Sequence, residues 1–292
     1  MQNLFHLGAH CTDDGLLIKS ILRNRGPLSS EGILVPGPGR YRELLGDAST
    51  TLRGEPASED TEAMLMEVVC DDDSADRIIL SSENFLCRSK VALGADGLYP
   101  KAAKSAWLRN CFPNHDVEFA IAIRNPALLV PDILAGLNDV EQQETLTELS
   151  PFTLRWSDVV ADILEANPDT RLTVWCHEDA PYIWSEILRE LTAHDPYTTL
   201  EGAYDMAEAM MTPVGVDRLK SFVEGHSDLT ESRRRKAIAA FLEAHVREKA
   251  EDTTPDTPLL DWSDKLCTDL TAYYDEDVTR IAALPRVTFI EP

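Results

Sequence analysis

Over its first 180 residues the chain alternates five short apolar runs with amphipathic helical patterns, and that alternation leaves few folds open. The runs are Asn3–Leu7, Gly32–Val35, Arg77–Ser82, Val117–Ile123 and Arg171–Cys176. Several stay apolar at successive positions, as in RIILSS and VEFAIAIR, which suits strands covered on both faces. Helix starts lie between them: Ser58 before EDTEAMLMEVV, Pro100 before KAAKSAWLRNCF, Ser150-Pro151 before FTLRWSDVVADILEA, and Asp179 with Pro181 before YIWSEILRELTA. In the last two, Trp156, Val159, Val160, Ile163 and Leu164, then Ile183, Trp184, Ile187, Leu188 and Leu191, recur at helical spacing. Strand and helix in alternation predict a mostly parallel, doubly wound sheet of five strands.

After about residue 198 the strand signals stop. AYDMAEAMM, VDRLKSFVEG, DLTESRRRKAIAAFLEAHVREKA and DWSDKLCTDLTAYYDEDVTRIAAL all read as helices. The third opens on a capping box, Asp228 with Glu231, and its buried stripe is Ala237, Ile238, Phe241 and Leu242. A short run, VTFI, offers a last strand; Pro36–Pro56 and Glu251–Pro258 read as loops. Nothing resembles a long linker, so we expect one domain over residues 1–292, an α/β core (1–198) carrying a mainly helical part (199–292).

Charge narrows the partners. Among 292 residues, 51 acidic side chains oppose 27 basic ones, a net charge of −24. Such a surface repels phosphate backbones and anionic lipid, so neither nucleic acid nor a membrane is an expected partner. No run of about 18 apolar residues exists, and the N-terminus lacks the basic region and cleavage pattern of a secretory signal. Six scattered cysteines without a C-x-x-C pair suit reduced thiols in a cytoplasm. The basic cluster Ser232–Lys236, SRRRK, reads as a solvated helix face paired with neighbouring acids.

In open α/β sheets, ligands sit beyond the carboxyl ends of the strands, and a helix N-terminus there is a natural anion site. The first strand–loop–helix places Gly8 to Gly15, GAHCTDDG, at that spot. A standard phosphate loop, G-x-x-x-x-G-K-[ST], fails: counted from Gly8, the second glycine position holds Asp13 and the lysine position Asp14. The stretch FHLGAHCTDDGLLIKSILRNRGPLSSEGILVP nevertheless resembles the opening of bacterial sulfotransferase-like proteins. Those begin with a strand, a G-T-H-K-T-G-T-type loop, a helix and a phrase ending G-[IV]-x-x-P; here Gly8, His10 and Thr12 match. RIILSSENF resembles that family's third strand, ending in S-S-E, and VEFAIAIRNPALLVPDIL its strand ending in R-x-P. RLTVWCHED falls where the fifth strand belongs, and YYDEDVTRIAALPRVTFIEP resembles the usual ending.

The resemblance implies a three-layer, P-loop-type α/β sandwich. It implies a loop that wraps the 5′-phosphosulfate of 3′-phosphoadenosine-5′-phosphosulfate, with a lysine stabilising the bridging oxygen. It also implies an arginine, with a serine eight residues later, on the 3′-phosphate. Carried over, the cofactor-binding candidates are Gly8, Thr12, Asp13, Asp14, Gly15, Arg124 and Asp132, and the catalytic candidates are Glu83, as general base, and His10. The sequence departs where charge matters. Cys11 stands at the lysine position, Asp13 at the flexible glycine, Asp14 at the hydroxyl and Asp132 at the serine. Two unit charges about 4 Å apart interact by about 4 kcal/mol at an effective dielectric of 20, so a carboxylate beside a phosphosulfate opposes binding on that scale. A carboxylate at a helix start instead accepts backbone N–H groups, worth about 1 kcal/mol, and complements the helix dipole. The expectation is a sulfotransferase-like protein whose cofactor loop is degenerate, catalytically silent or altered in ligand, with no cofactor firmly expected. It would act as a binding or scaffold partner of an unknown small molecule or protein. The alternative is a working enzyme that uses 3′-phosphoadenosine-5′-phosphosulfate on a hydroxyl acceptor.

Three side readings stay open. A divalent metal could bridge Asp13 or Asp14 to a ligand phosphate, and Lys19 could replace the missing lysine. Glu83 could pair with Arg88 or Lys90 instead of serving as a base. No resident metal is expected, because the adjacent pairs His10-Cys11 and Cys176-His177 match no known zinc spacing.

Overall fold

The computed structural model describes residues 1–70, 75–226, 229–247 and 262–292. Its centre is a six-stranded sheet: β1 (Gln2–His6), β2 (Ile33–Leu34), β3 (Arg77–Ser81), β6 (Asp116–Ile123), β7 (Arg171–Cys176) and β8 (Val287–Ile290). Two-residue strands β4 (Leu93–Gly94) and β5 (Gly97–Leu98) form a separate hairpin. The order is β2-β3-β1-β6-β7-β8, and every neighbouring pair is parallel. The expected five strands are therefore corrected to six. The VTFI run becomes β8, an edge strand paired with β7 through Leu172↔Val287 to Trp175↔Ile290.

Burial follows the apolar runs. All five residues of β3 are buried, as are the last five of β6. Alternate side chains enter two cores. Phe5, Leu7, Ile78, Leu80, Phe119, Ile121, Leu172 and Val174 face one side. Leu4, Ile79, Ala120, Ala122 and Trp175 face the other, against α1 (Leu16–Arg23), α2 (Arg25–Ser30) and α9 (Ala180–Thr192). The first side is covered by α3 (Pro38–Leu52), α4 (Glu59–Val69), α5 (Ser105–Arg109), α6 (Pro126–Ala135), α7 (Asp139–Glu148), α8 (Trp156–Ala166) and α13 (Asp264–Ala282). A small third cluster, with Met211, Leu219, Ile238 and Leu242, joins α10 (Asp205–Met210), α11 (Pro213–Gly225) and α12 (Glu231–His245). The chain thus leaves β1 toward one face and leaves its neighbours β3 and β6 toward the other. In open α/β sheets such a divergence is where a ligand crevice forms, here at the carboxyl end of β1.

Local chemistry explains most helix starts, and three expectations change. The Ser58 hydroxyl accepts the Thr61 N–H at 3.3 Å and opens α4. Pro36–Pro56, read as a loop, is mostly α3: Pro38 sits in its first turn, and Tyr41 and Leu45 bury one narrow stripe. The segments after Pro100 and Pro151 begin as single 3₁₀ turns, Ala102–Lys104 and Pro151–Thr153, before α5 and α8. Of the capping box expected before α12, Asp228 lies outside the described residues, as does the loop Glu251–Pro258. The N-cap of α12 is Thr230; Ile238 and Leu242 are buried, while Ala237 and Phe241 are half-buried. Among the described residues no helix is long and apolar enough to cross a membrane.

Candidate functional site

The loop after β1 is tied to β6 before it turns. The Gly8 carbonyl accepts the Ala122 N–H at 2.8 Å, and the Ala9 N–H donates to the Ala122 carbonyl at 3.2 Å. Gly8 has φ +102°, and a Cβ placed there would lie 3.1 Å from Glu83 Cα, so the loop can pass the end of β3 only as glycine. Beyond it Cys11 (φ 56°), Asp14 (φ 47°) and Gly15 (φ 73°) adopt left-handed backbone and fold the chain back onto α1.

The polar groups of this loop are engaged internally. The Thr12 hydroxyl donates to the Ala9 carbonyl at 2.7 Å and is buried. Asp13 Oδ2 accepts the Leu17 N–H at 2.8 Å, and the Asp13 carbonyl accepts the Leu16 N–H at 2.7 Å. One residue therefore meets two of the amides at the start of α1 that an incoming anion would use. Asp14 is exposed; its carbonyl accepts Lys19 Nζ at 3.4 Å, which brings the Lys19 ammonium to the backbone at the helix entry.

Arg124, at the end of β6, is 8% exposed and closes the loop from the other side. Nη1 donates to the Cys11 carbonyl at 2.6 Å, and Nη2 donates to Asp132 Oδ2, one helix away on α6, at 2.5 Å. Its carbonyl accepts the Trp156 indole N–H at 2.7 Å, which fixes the strand end. Asp132 was expected to oppose a ligand phosphate; its place in the fold is as the counter-ion of Arg124. The Cys11 thiol, at the lysine position, is pushed up to about 11, first by burial and then by the Asp132 carboxylate. It is a neutral, unreactive group at ordinary pH.

The two catalytic candidates part company. Glu83 follows β3 and is exposed, and the ion pairs found among the described residues include none between it and Arg88 or Lys90. His10 is buried, and its contacts are to Tyr99 and Asn84. Its backbone N–H donates to the Tyr99 hydroxyl at 2.8 Å, and its Nδ1 lies 2.9 Å from that same oxygen. A hydroxyl that accepts one N–H has its own proton for Nδ1, which leaves the imidazole proton on Nε2, 3.4 Å from Asn84 Oδ1. Burial lowers the His10 pKa below its ordinary value, against smaller raising effects of Asn84 and Glu83. His10 is thus a neutral strut between Tyr99 and Asn84. Tyr99 and Asn84 were absent from the sequence reading. Asn84 adjoins Glu83 and could have been found by extending the S-S-E match one residue. Tyr99 is 89 residues from its partner, and no local pattern marks it.

Among the described residues, no group of three or more His, Cys, Asp or Glu side chains is placed to hold a metal ion. His177, following β7, has its pKa lowered by burial and then by Arg124.

No family model matches the chain, and no curated protein matches it. Among solved structures, it is similar to the crystal structure of a sulfotransferase from Alicyclobacillus acidocaldarius, with 14% identity and a TM-score of 0.39. That match covers 82% of this chain and 98% of the other. A likeness at that level assigns no role to any residue here.

Proposed function

We propose that the protein is a sulfotransferase-like chain whose cofactor seat is occupied by its own carboxylates, so that it does not use 3′-phosphoadenosine-5′-phosphosulfate and acts as a binding protein. The observation that carries this reading is the Asp13 carboxylate on the Leu17 amide. An incoming phosphosulfate would have to displace that carboxylate and then remain beside it, without the lysine that Cys11 replaces. At the far end of the seat, Arg124 is already neutralised by Asp132. The Thr12 hydroxyl, engaged with the Ala9 carbonyl, would also have to turn to reach a ligand. The competing reading keeps a working transferase, with exposed Glu83 as base, Arg124 on the 3′-phosphate and the amides from His10 to Gly15 on the transferring group. It requires the Asp13 and Asp132 contacts to break together.

Calorimetric titration with adenosine 3′,5′-bisphosphate, with and without magnesium, tests the proposal. The expected result is no binding tighter than about 100 μM, about −5.5 kcal/mol. Tighter binding without metal overturns the proposal in favour of the enzyme. Binding that requires magnesium overturns it in favour of a metal bridge to the loop carboxylates.

A further inference from the structure

One strand over from the loop lies a cleft of about 760 Å³, walled by α3, the turn after β3 and the segment leading into α5. Its charge is the reverse of the molecule's. Four cations line it, Arg42, Arg88, Lys101 and Lys104, against two carboxylates, Glu43 and Asp47, in a chain of net charge −24. The ion pairs found among the described residues include none of the four. Elsewhere the described basic groups commonly do: Arg77 with Glu118, Arg124 with Asp132, Arg155 with Asp277, Arg235 with Glu186.

Two of the cations are held in place. Arg42 Nε donates to the Ser81 carbonyl at 2.9 Å, which anchors the guanidinium at the carboxyl end of β3, beside the Tyr41 hydroxyl. Lys104 Nζ stands 4.0 Å from the centre of the Trp107 ring, a cation–π contact. The indole is itself confined, since Gly54 (φ +88°) passes so close that a Cβ there would lie 2.6 Å from Trp107 Nε1. Cys87, also in the wall, has its thiol pushed up to about 12 by burial and is chemically quiet.

We propose that this cleft is a binding site for a small polyanion carrying phosphate or carboxylate groups. In a strongly acidic protein, unpaired cations gathered in one concave place attract counter-ions from a field that otherwise excludes them. Guanidinium offers bidentate recognition to such groups and the lysines supply point charge. The site is separate from the β1 loop and stands whether or not the loop takes a cofactor. The two are neighbours through Asn84, which lines the cleft and bonds His10.

The test uses inorganic pyrophosphate and citrate as probes of the two charge types, titrated into the full chain by calorimetry in low salt. Saturable binding is expected for at least one probe, and preference between them distinguishes phosphate from carboxylate recognition. The Arg88→Ala/Lys101→Ala variant, which changes two exposed side chains, should weaken binding at least tenfold. Sodium chloride at several hundred millimolar should weaken it as well. Absence of saturable binding of either probe up to about 10 mM overturns the proposal, and so does a double variant that binds like the native chain. If Arg124→Ala abolishes binding while the double variant does not, the anion sits in the β1 loop, and the proposal again fails. Because neither probe contains adenosine, failure here is separable from the outcome of the bisphosphate titration.

Discussion

Replacing Asp13 by alanine removes the carboxylate that satisfies the Leu17 N–H at 2.8 Å. The structure sets the size of the effect. Loss of a side-chain acceptor at a helix start costs about 1 kcal/mol. Loss of a negative charge beside the N-terminal dipole costs a further 0.3–1 kcal/mol or so. Asp13 is half-buried, so water can partly replace the carboxylate and the sum stays near 1–2 kcal/mol. Asp13→Asn keeps an acceptor oxygen and loses only the charge, so it should fall between the native chain and Asp13→Ala. Urea unfolding followed by far-ultraviolet circular dichroism gives the order native, Asn, Ala. The vacated amides supply a second measurement: sulfate should raise the unfolding midpoint of Asp13→Ala more than that of the native chain, at matched ionic strength. If the alanine variant unfolds with the native midpoint and gains nothing from sulfate, the carboxylate is not what fills the start of α1, and the argument from self-occupation fails.

Two further outcomes follow from the same geometry. Tyr99→Phe deletes the hydroxyl that both accepts the His10 N–H and backs its Nδ1. It should cost about 1–3 kcal/mol, the penalty for unsatisfied buried polar groups, read as a lower urea midpoint. The pH dependence comes from His6, His10, His115, His177 and His194, whose folded pKa values lie below the ordinary 6.5, chiefly through burial. Below pH 6.5 the unfolded chain takes up protons that the folded one refuses, so stability is full above that pH and is lost as pH falls toward the folded values. The loss approaches about 1.4 kcal/mol per pH unit per histidine. Unfolding midpoints between pH 7.5 and 5.5 should fall, with a shallower slope in His10→Asn.

The parts of this molecule that sequence made legible are those governed by local periodicity. Doubly apolar runs such as RIILS and VEFAIAI could only be covered strands, and they are. Helix α3 was hidden because glycines at 39 and 46 and just two buried side chains, Tyr41 and Leu45, leave almost no stripe to read. The β4–β5 hairpin, two residues to a strand, is too short for a pattern, and the pairing of β8, whose VTFI run does read as a strand, is decided by tertiary neighbours. The same division runs through the site. Asp13 at the entry to a helix could be read as a cap from its neighbours in sequence. The Tyr99–His10 contact and the cationic cleft could not. In the contiguous run SRRRK, read as paired with acids, Arg234 bonds Glu231 and Arg235 bonds Glu186. The cations left unpaired in the cleft come from residues 42, 88, 101 and 104, scattered in the chain and gathered by the fold.

The departures at positions 11, 13 and 132 also bear on one another. Arg124 is nearly buried, and without a ligand phosphate it needs a counter-charge, which Asp132 supplies; the helix start needs an acceptor, which Asp13 supplies. Reversing one position leaves the other carboxylate in the path of an anion. Groups that share partners act non-additively, so Cys11→Lys, Asp13→Gly and Asp132→Ser should each fail singly to bring adenosine 3′,5′-bisphosphate binding below about 100 μM. The triple variant should reach it, since it removes two negative charges and adds one positive charge around the seat. Asp132→Ser alone should lose at most about 1 kcal/mol of stability, because the Asp132 side chain is 44% exposed and solvent screens its pair with Arg124. Should Cys11→Lys alone bind the bisphosphate as tightly as the triple variant, the carboxylates are not what keeps the ligand out, and the missing lysine accounts for the loss by itself.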